Sequence, residues 1–518
     1  LRYELELRSD LTSLPAYTLL EDVSSEDLSA ILELNTPGLT VESSTVREYA
    51  TTHAAHILGN LGLIEASQWP EYKDKGYSMD AYVGQSGFEA AFEEYLHGTD
   101  GVKLTTVDTE GNVVSEYFQT EPKAGANVET TIALNMQIAA ETALEQVILE
   151  LREEGLGQKH EGQDAEGGAV VAIDVKTGQV LACASYPTYN PATYSQDFNQ
   201  LLKTEWDPLY NRALQATYAP GSVFKMAVTI AAINDGEISS STTIEDKGVY
   251  TKYEDEGYTP QCLIYTNYKQ THGVINVEEA LAVSCNYFFY EAGIRTGMPD
   301  IDAVAKDLGL GEKTGVELFE EQGHRANAES KAALYADDPS RSGWYDADTL
   351  MLSIGQSECA FTPIQLASYT AALANRGVRY RATFLNRVIS SDYQTLVASA
   401  EPEVLSTCPI CDDAYYAYTT GMRMAVSDDR GTVKSYLGDY PVAVAGKTGT
   451  AQHSSQGSDN GSFVCYAPYE DPQIAIAVFV EKGAQGGNLS RVAKAIMDVY
   501  FGQTQQANAE LPGENVGN

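Results

Sequence analysis

The chain is short of positive charge. It carries 33 lysines and arginines against 73 aspartates and glutamates, a formal net charge of −40 over 518 residues. Such a surface repels nucleic-acid phosphates, which excludes nucleic-acid binding. Cysteine is also sparse. There are seven, an odd count, which does not read as a disulfide framework and leaves at least one thiol free, metal-bound or intermolecular. Long apolar runs are missing, and none reaches the ~20 residues that span a bilayer. The first residue is Leu1 rather than Met, so a processed product is expected, with any signal or anchor lying upstream. No fixed-period repeat is present. What remains is an ordinary globular composition, 43% hydrophobic, long enough for two or three domains.

Residues 1–125 form a mixed region in which polar runs alternate with short helical patterns. Its best-marked segment is Gly84-Gln85-Ser86-Gly87-Phe88-Glu89. Ser86 with Glu89 fits a capping box, and Phe88, Phe92, Tyr95 and Leu96 then share a helical face until Gly98. Pro122–Asn127 reads as a linker, Val128–Leu134 as a strand, and Asn135–Gly155 as a helix. A main domain over 126–502 follows from this. Within it, Ala169–Asp174 and Gln179–Ala184 predict a hairpin turning at Gly178. Helical patterns dominate from Ser222 to about Leu308. Strand patterns return at Val442–Ala445, Ser462–Ala467 and Ile474–Val480, before a last amphipathic helix, Leu489–Phe501. The polar tail 503–518 is expected to be disordered. Hairpin, helical block, strands, helix is the order of a sheet assembled from both ends of a domain around a helical insert. The class is α/β or α+β with an antiparallel sheet.

Three short motifs carry chemistry. Ser222-Val223-Phe224-Lys225 opens an apolar helix after Ala219-Pro220-Gly221. Residues three apart share a helical face, so the lysine amine can reach the serine hydroxyl. Free amides and the positive dipole end at a helix start favour negative charge developing at Ser222. A shielded lysine can lose its proton near neutral pH and act as base. Ser284-Cys285-Asn286 places a hydroxyl and an amide two residues apart, fit to relay a proton and hold a substrate amide. Lys447-Thr448-Gly449-Thr450 reads as an edge strand bearing a cation and two hydroxyls, suited to a carboxylate, with Gly449 permitting close approach of a ligand. Each motif alone is weak, because its residues are common. Together, in this order and each in a fitting local context, they form the S-x-x-K, S-x-N, K-T-G set of β-lactamases and penicillin-binding proteins.

The chain resembles the class B penicillin-binding proteins, and within them elongation-type penicillin-binding protein 2 or the sporulation-type members of Gram-positive bacteria. Arg47-Glu48-Tyr49, Ala54–Gly59 and Gly84–Gly98 are similar to that family's pedestal. Asp174–Gly178 and Ala184–Pro187 are similar to the opening hairpin of its transpeptidase domain, and Gly446–Gln452 to its third motif. Where the family has G-Q-G, this chain has Gly355-Gln356-Ser357, which puts the conformation of that loop in question.

The resemblance implies a penicilloyl-serine transferase fold, an antiparallel five-stranded sheet flanked by helices, with an N-terminal α+β pedestal. It implies a D,D-transpeptidase of cell-wall synthesis that cross-links peptidoglycan stem peptides. Ser222 is then the nucleophile and Lys225 its base. The backbone amides of Ser222 and Thr450 hold the oxyanion, and Ser284 and Lys447 move the leaving-group proton. Asn286 holds the acyl peptide, and Thr448 and Thr450, about Gly449, bind the terminal carboxylate. β-Lactams are expected to acylate Ser222. A membrane glycosyltransferase is the expected partner, and the extracellular face of the plasma membrane the expected location, with the anchor upstream.

No cofactor for catalysis is implied. Some elongation-type relatives hold zinc beside the active site, and the matching positions here are Asp246, Cys262, His272 and Cys285, a plausible tetrahedral set. Without the resemblance, the same residues read as buried thiols and a surface histidine. Cys408-Pro409-Ile410-Cys411, in an extracellular protein, reads as a strained local disulfide, since no thioredoxin-like pattern surrounds it. Two rival functions share the motifs. A β-lactamase needs a deacylating base, and no glutamate stands in a suitable setting. A non-catalytic β-lactam sensor or scaffold would work through its N-terminal region, and detectable cross-linking separates it from the transpeptidase.

Overall fold

The computed structural model describes residues 46–79, 81–109, 113–452 and 457–503, with 19–20, 23–34, 36, 39 and 41. These fall into two compact units, Leu1–Thr51 and Thr52–Asn518. In the first, one helix, Ser25–Glu33, is N-capped by Ser24, whose side chain accepts from the Asp27 amide. The predicted tail beyond 503 lies outside the described residues. Among the described residues no helix is long and apolar enough to cross a membrane.

The second unit is built on a five-stranded antiparallel sheet. Its strands are β1 (Gly168–Asp174), β2 (Val180–Tyr186), β3 (Ala445–Ala451), β4 (Asn460–Ala467) and β5 (Ile474–Val480), in the spatial order β3-β4-β5-β1-β2. Both ends of the domain meet where β5 pairs with β1, Ile474 opposite Asp174. The predicted hairpin is present, with Gly178 at φ +78° in its turn. Only glycine takes that conformation freely.

The central strands β1 and β5 read as continuous apolar runs because both faces are covered. On one face Val170, Ala172, Phe463 and Ile476 pack with two helices, α1 (Leu134–Glu154) and α6 (Gly486–Tyr500), through Leu144, Ile148, Val492 and Ile496. On the other, Val171, Ile173, Val464 and Ala477 join the larger core, which holds the helix Pro363–Ala374 and α2 (Lys225–Asn234). Every residue of α2 from Lys225 to Ile233 is buried, as a helix at the centre of a domain must be. It is flanked by α4 (Asn286–Thr296) and α5 (Asp412–Ser427), and α3 (Val277–Ala282) packs on α5.

Several local expectations change. Ser86 makes no capping box: its hydroxyl donates to Asn60 Oδ1 at 2.6 Å, and the helix breaks at Phe92 into Gly87–Ala91 and Glu93–Leu96. The residues read as a linker are tied down. The Ala126 amide donates to the Tyr95 carbonyl at 2.6 Å, and Asn127–Thr130 pairs with Leu385–Ile389. The strand placed at Val442–Ala445 instead begins at Ala445 and runs through the whole K-T-G-T motif. Cys408 and Cys411 are both free thiols. Cys411 turns to cap α5, its sulfur accepting from the Ala414 amide at 3.5 Å, while Cys408 is buried on the other side of Pro409.

Candidate active site

The turn before α2 places Ser222. Gly221 sits at φ +59°, and its amide donates to the Gly355 carbonyl at 2.8 Å. A Cβ at Gly221 would lie 2.7 Å from the Thr450 carbonyl oxygen, and one at Gly449 would lie 2.7 Å from that of Pro220. Glycine at both positions therefore lets β3 lie against the turn. The segment Gly221–Phe224 is a 3₁₀ turn running into α2 rather than the first turn of an α-helix. Ser222 is half-buried there, next to the outer edge of β3.

One turn on, the Lys225 side chain is fully buried. Its amine donates to Asn286 Oδ1 at 2.7 Å and to the Ser284 carbonyl at 3.0 Å, and lies 3.4 Å from the Ser284 hydroxyl. The ring of Phe289 covers it at 5.2 Å. Burial pulls the amine from the usual lysine range down to about 8, against the raising effect of Cys262 and Cys285. Lys447 is buried as well and donates to the Ser284 hydroxyl and the Thr448 carbonyl, both at 2.9 Å. Burial, and then the nearby Lys225 charge, push it well below its ordinary value. The cation read on this edge strand is thus an internal amine.

Ser284 stands between the two lysines at the end of α3, in the left-handed conformation, φ +57°. Asn286 opens α4, which Cys285 caps by accepting from the Phe288 amide. The eight residues named for catalysis and substrate binding therefore lie on the Ser222 turn, the Ser284–Asn286 corner and β3. Three further residues contribute. The Thr432 hydroxyl accepts from the Thr448 hydroxyl at 3.1 Å. Ser462 donates to the Pro220 carbonyl at 3.1 Å from behind β3. Gly355 holds the Gly221 amide. Of these, only the Gly355-Gln356-Ser357 triplet had a sequence signal. Ser357 takes φ +63°, the conformation glycine would favour.

Beside this centre, Asp246, Cys262, His272 and Cys285 bring four donor atoms within 4.8 Å of one another. His272 Nδ1 lies 2.8 Å from Asp246 Oδ2 and 3.6 Å from Cys262 Sγ, and the two sulfurs are 3.8 Å apart. Two zinc–sulfur bonds of ~2.3 Å at a tetrahedral angle put their sulfurs ~3.8 Å apart, so the pair fits that ion. Hydrogen bonds from Cys285 and His272 pull the Cys262 thiol down to about 4, while burial and the adjoining sulfur keep Cys285 protonated. Burial works against the charged forms of Asp246 and His272. Their mutual hydrogen bonds outweigh it, leaving the acid at about 2 and the imidazole at about 9.

Residues 3–130 match the penicillin-binding protein dimerisation domain, and residues 168–498 the penicillin binding protein transpeptidase domain. The chain is 29% identical over 506 residues to the peptidoglycan D,D-transpeptidase MrdA of Acinetobacter baumannii, covering 92% of this chain and 69% of that one. A chain of a peptidoglycan synthase complex that coordinates polymerization and crosslinking superposes with a TM-score of 0.78 at 28% identity, over 98% of this chain and 86% of that one. Pseudomonas aeruginosa PBP2 in complex with WCK 5153 gives 0.73 at 27% identity, over 92% and 94%. Two buried lysines meeting at one serine, beside a second serine on a glycine-shaped turn, therefore sit in a chain that belongs to the penicillin-binding protein transpeptidases.

Proposed function

We propose that the chain is a peptidoglycan D,D-transpeptidase working through an acyl-enzyme on Ser222. The observation that carries the reading is the Ser284 hydroxyl, held at 2.9 Å from Lys447 and 3.4 Å from Lys225 beside the Ser222 turn. Ser222 Oγ attacks the carbonyl of the penultimate D-Ala of a stem peptide. Its proton passes to Lys225, whose burial favours the neutral amine. The amides of Ser222 and Thr450 receive the oxyanion. When the tetrahedral intermediate collapses, the C–N bond breaks and terminal D-Ala departs with a proton delivered through Ser284 and Lys447. Asn286 holds the acylated peptide, and Thr448 and Thr450 bind the terminal carboxylate of the donor. The amine of a second stem then attacks the ester, and Ser222 leaves with its proton restored.

Asp246, Cys262, His272 and Cys285 would hold a structural zinc ion. Bound there, it would neutralise the thiolate and brace the corner from which Ser284 and Asn286 project, without touching the reacting atoms. Stem peptides and β-lactams are the ligands of the site. Cross-linking places the protein at the extracellular face of the plasma membrane, and the similarity to a chain of a polymerising and crosslinking complex supports a glycosyltransferase partner.

The test is intact-protein mass after incubation with a β-lactam, followed over hours for wild type and Ser222→Ala. A long-lived adduct on wild type alone is expected. Rapid loss of the adduct with drug hydrolysis would make the chain a β-lactamase, and a stable adduct without any stem-peptide transfer would leave it a sensor.

A further inference from the structure

The loop between α5 and the helix Lys434–Leu437 reaches both halves of the site. Arg430 donates to Glu279 on α3 at 3.0 Å, and the Thr432 amide donates to the carbonyl of Ala282, the last residue of α3, at 3.3 Å. The next amide, Val433, donates back to the Ala425 carbonyl of α5 at 2.9 Å. Thr432 is thus fixed by main-chain bonds on either side, two residues from Ser284 on one flank. On the other flank its hydroxyl meets that of Thr448 at 3.1 Å.

That pairing decides what Thr448 can do. Each hydroxyl has a single proton and two lone pairs, and both rotate. While Thr448 donates to Thr432, its one proton is taken and it presents only lone pairs to an approaching carboxylate, which would repel it. If both rotors turn, Thr432 donates, Thr448 accepts, and the Thr448 proton is released to point at the substrate. A hydroxyl that accepts one hydrogen bond also donates a second more strongly. We propose that Thr432, whose hydroxyl here accepts from Thr448, is a positioning residue: when the donor substrate binds, the pair reverses, Thr432 donates to Thr448 and the Thr448 proton turns toward the terminal carboxylate. The inference rests on the transpeptidase reading, in which Thr448 binds that carboxylate. It adds the source of the bond that orients it, in a loop that also buttresses the end of α3.

The experiment compares wild type, Thr432→Val, Thr432→Ala and Thr432→Ser, each first shown to melt cooperatively. The probes are benzylpenicillin and its methyl ester, in which the carboxylate is blocked. The rate of adduct formation on Ser222 is followed by intact mass over a range of probe concentrations. Loss of the hydroxyl in Thr432→Val or Thr432→Ala is expected to slow acylation by the free acid about 10- to 100-fold, the worth of a hydrogen bond to a charged group. The loss should fall in the half-saturating concentration, with the limiting rate retained. The ester should react with wild type and both variants at equal rates, and Thr432→Ser should behave as wild type. Equal slowing with acid and ester would make Thr432 merely structural and overturn the proposal, as would unchanged rates with the acid. Wild type that forms no adduct at all would overturn the transpeptidase reading beneath it.

Discussion

Lys447 donates to the hydroxyl of Ser284 at 2.9 Å across a separation of 163 residues in the chain. Neither side chain is oriented in isolation. The serine hydroxyl is a shared terminus for two buried amines, and the Lys225 amine also bonds its carbonyl at 3.0 Å. Ser284→Ala keeps the main-chain carbonyl and removes the shared hydroxyl. Acylation of Ser222 by a β-lactam is expected to slow by about 100-fold or more, within the usual range for a lost proton-transfer group. The melting temperature should stay close to that of wild type, because the hydroxyl faces a half-buried corner rather than the core. A variant that acylates at the wild-type rate would remove Ser284 from the proton path.

Burial sets the pH profile. Lys225 must be neutral to accept the Ser222 proton, and its amine is lowered to about 8. The acylation rate should therefore rise with pH, by about tenfold per unit well below the midpoint, and level off above about pH 8. The fold gains stability over the upper part of the same range. Between about 8 and the ordinary lysine value the unfolded chain binds a proton that the folded chain excludes, so stability rises with pH there. Acylation rates measured from pH 6 to 9.5 check the first statement, and a flat profile would remove Lys225 as the base.

The four-donor cluster makes a prediction that needs no substrate. Purified protein should carry one zinc ion per chain by elemental analysis, and Cys262→Ser should carry much less. Stripping the metal with a strong chelator should lower the melting temperature by about 2–3 °C, as expected when roughly 2 kcal/mol of ligand stabilisation is lost from a domain of this size. Metal-free protein with an unchanged melting temperature would return Cys262 and Cys285 to the status of buried thiols.

Ser357 occupies a conformation, φ +63°, that penalises any side chain. The carbonyl of Gly355, two residues before it, holds the turn that presents Ser222. Ser357→Gly should raise stability by about 1 kcal/mol, the relief of one left-handed non-glycine residue. Thermal unfolding measures it directly. A lower melting temperature would mean that the Ser357 hydroxyl, which bonds the Glu358 carboxylate, is worth more than the strain.

The chemistry of the site was legible because each motif is local. Ser222 and Lys225 share a turn, Ser284 and Asn286 flank one residue, and Lys447–Thr450 lie along a single strand. An antiparallel sheet assembled from both ends of a domain was legible through the order of hairpin, helices and strands, and the transpeptidase fold through the resemblance its motifs carry. What the residues alone did not reveal was of two kinds. Thr432 and Ser462 act across tertiary contacts, and nothing in their own neighbourhoods marks them. Ser86 and Cys411 follow a local rule that a competitor defeats. Asn60 draws the Ser86 hydroxyl out of its capping role, and the free amide of Ala414 gives Cys411 a capping role in place of a disulfide. Lys447 belongs to a third case. Its position on an edge strand was readable, but its burial depends on α5 and the Ser284 corner closing over it.

The pairing of Asp174 with Ile474 has a temporal meaning. A chain that emerges from its N-terminus delivers the β1–β2 hairpin early, with one long apolar edge bare, and leaves it so until β5 follows. Closing a loop of that size is entropically slow, and an open strand edge invites wrong pairing. Every residue from Ser222 to Lys447 lies inside that loop. A nascent or C-terminally clipped chain lacking β5 would hold a nucleophile, both amines and the K-T-G strand, yet have no sheet on which to set them. The site is thus completed only when the late strand β5 pairs with the early strand β1.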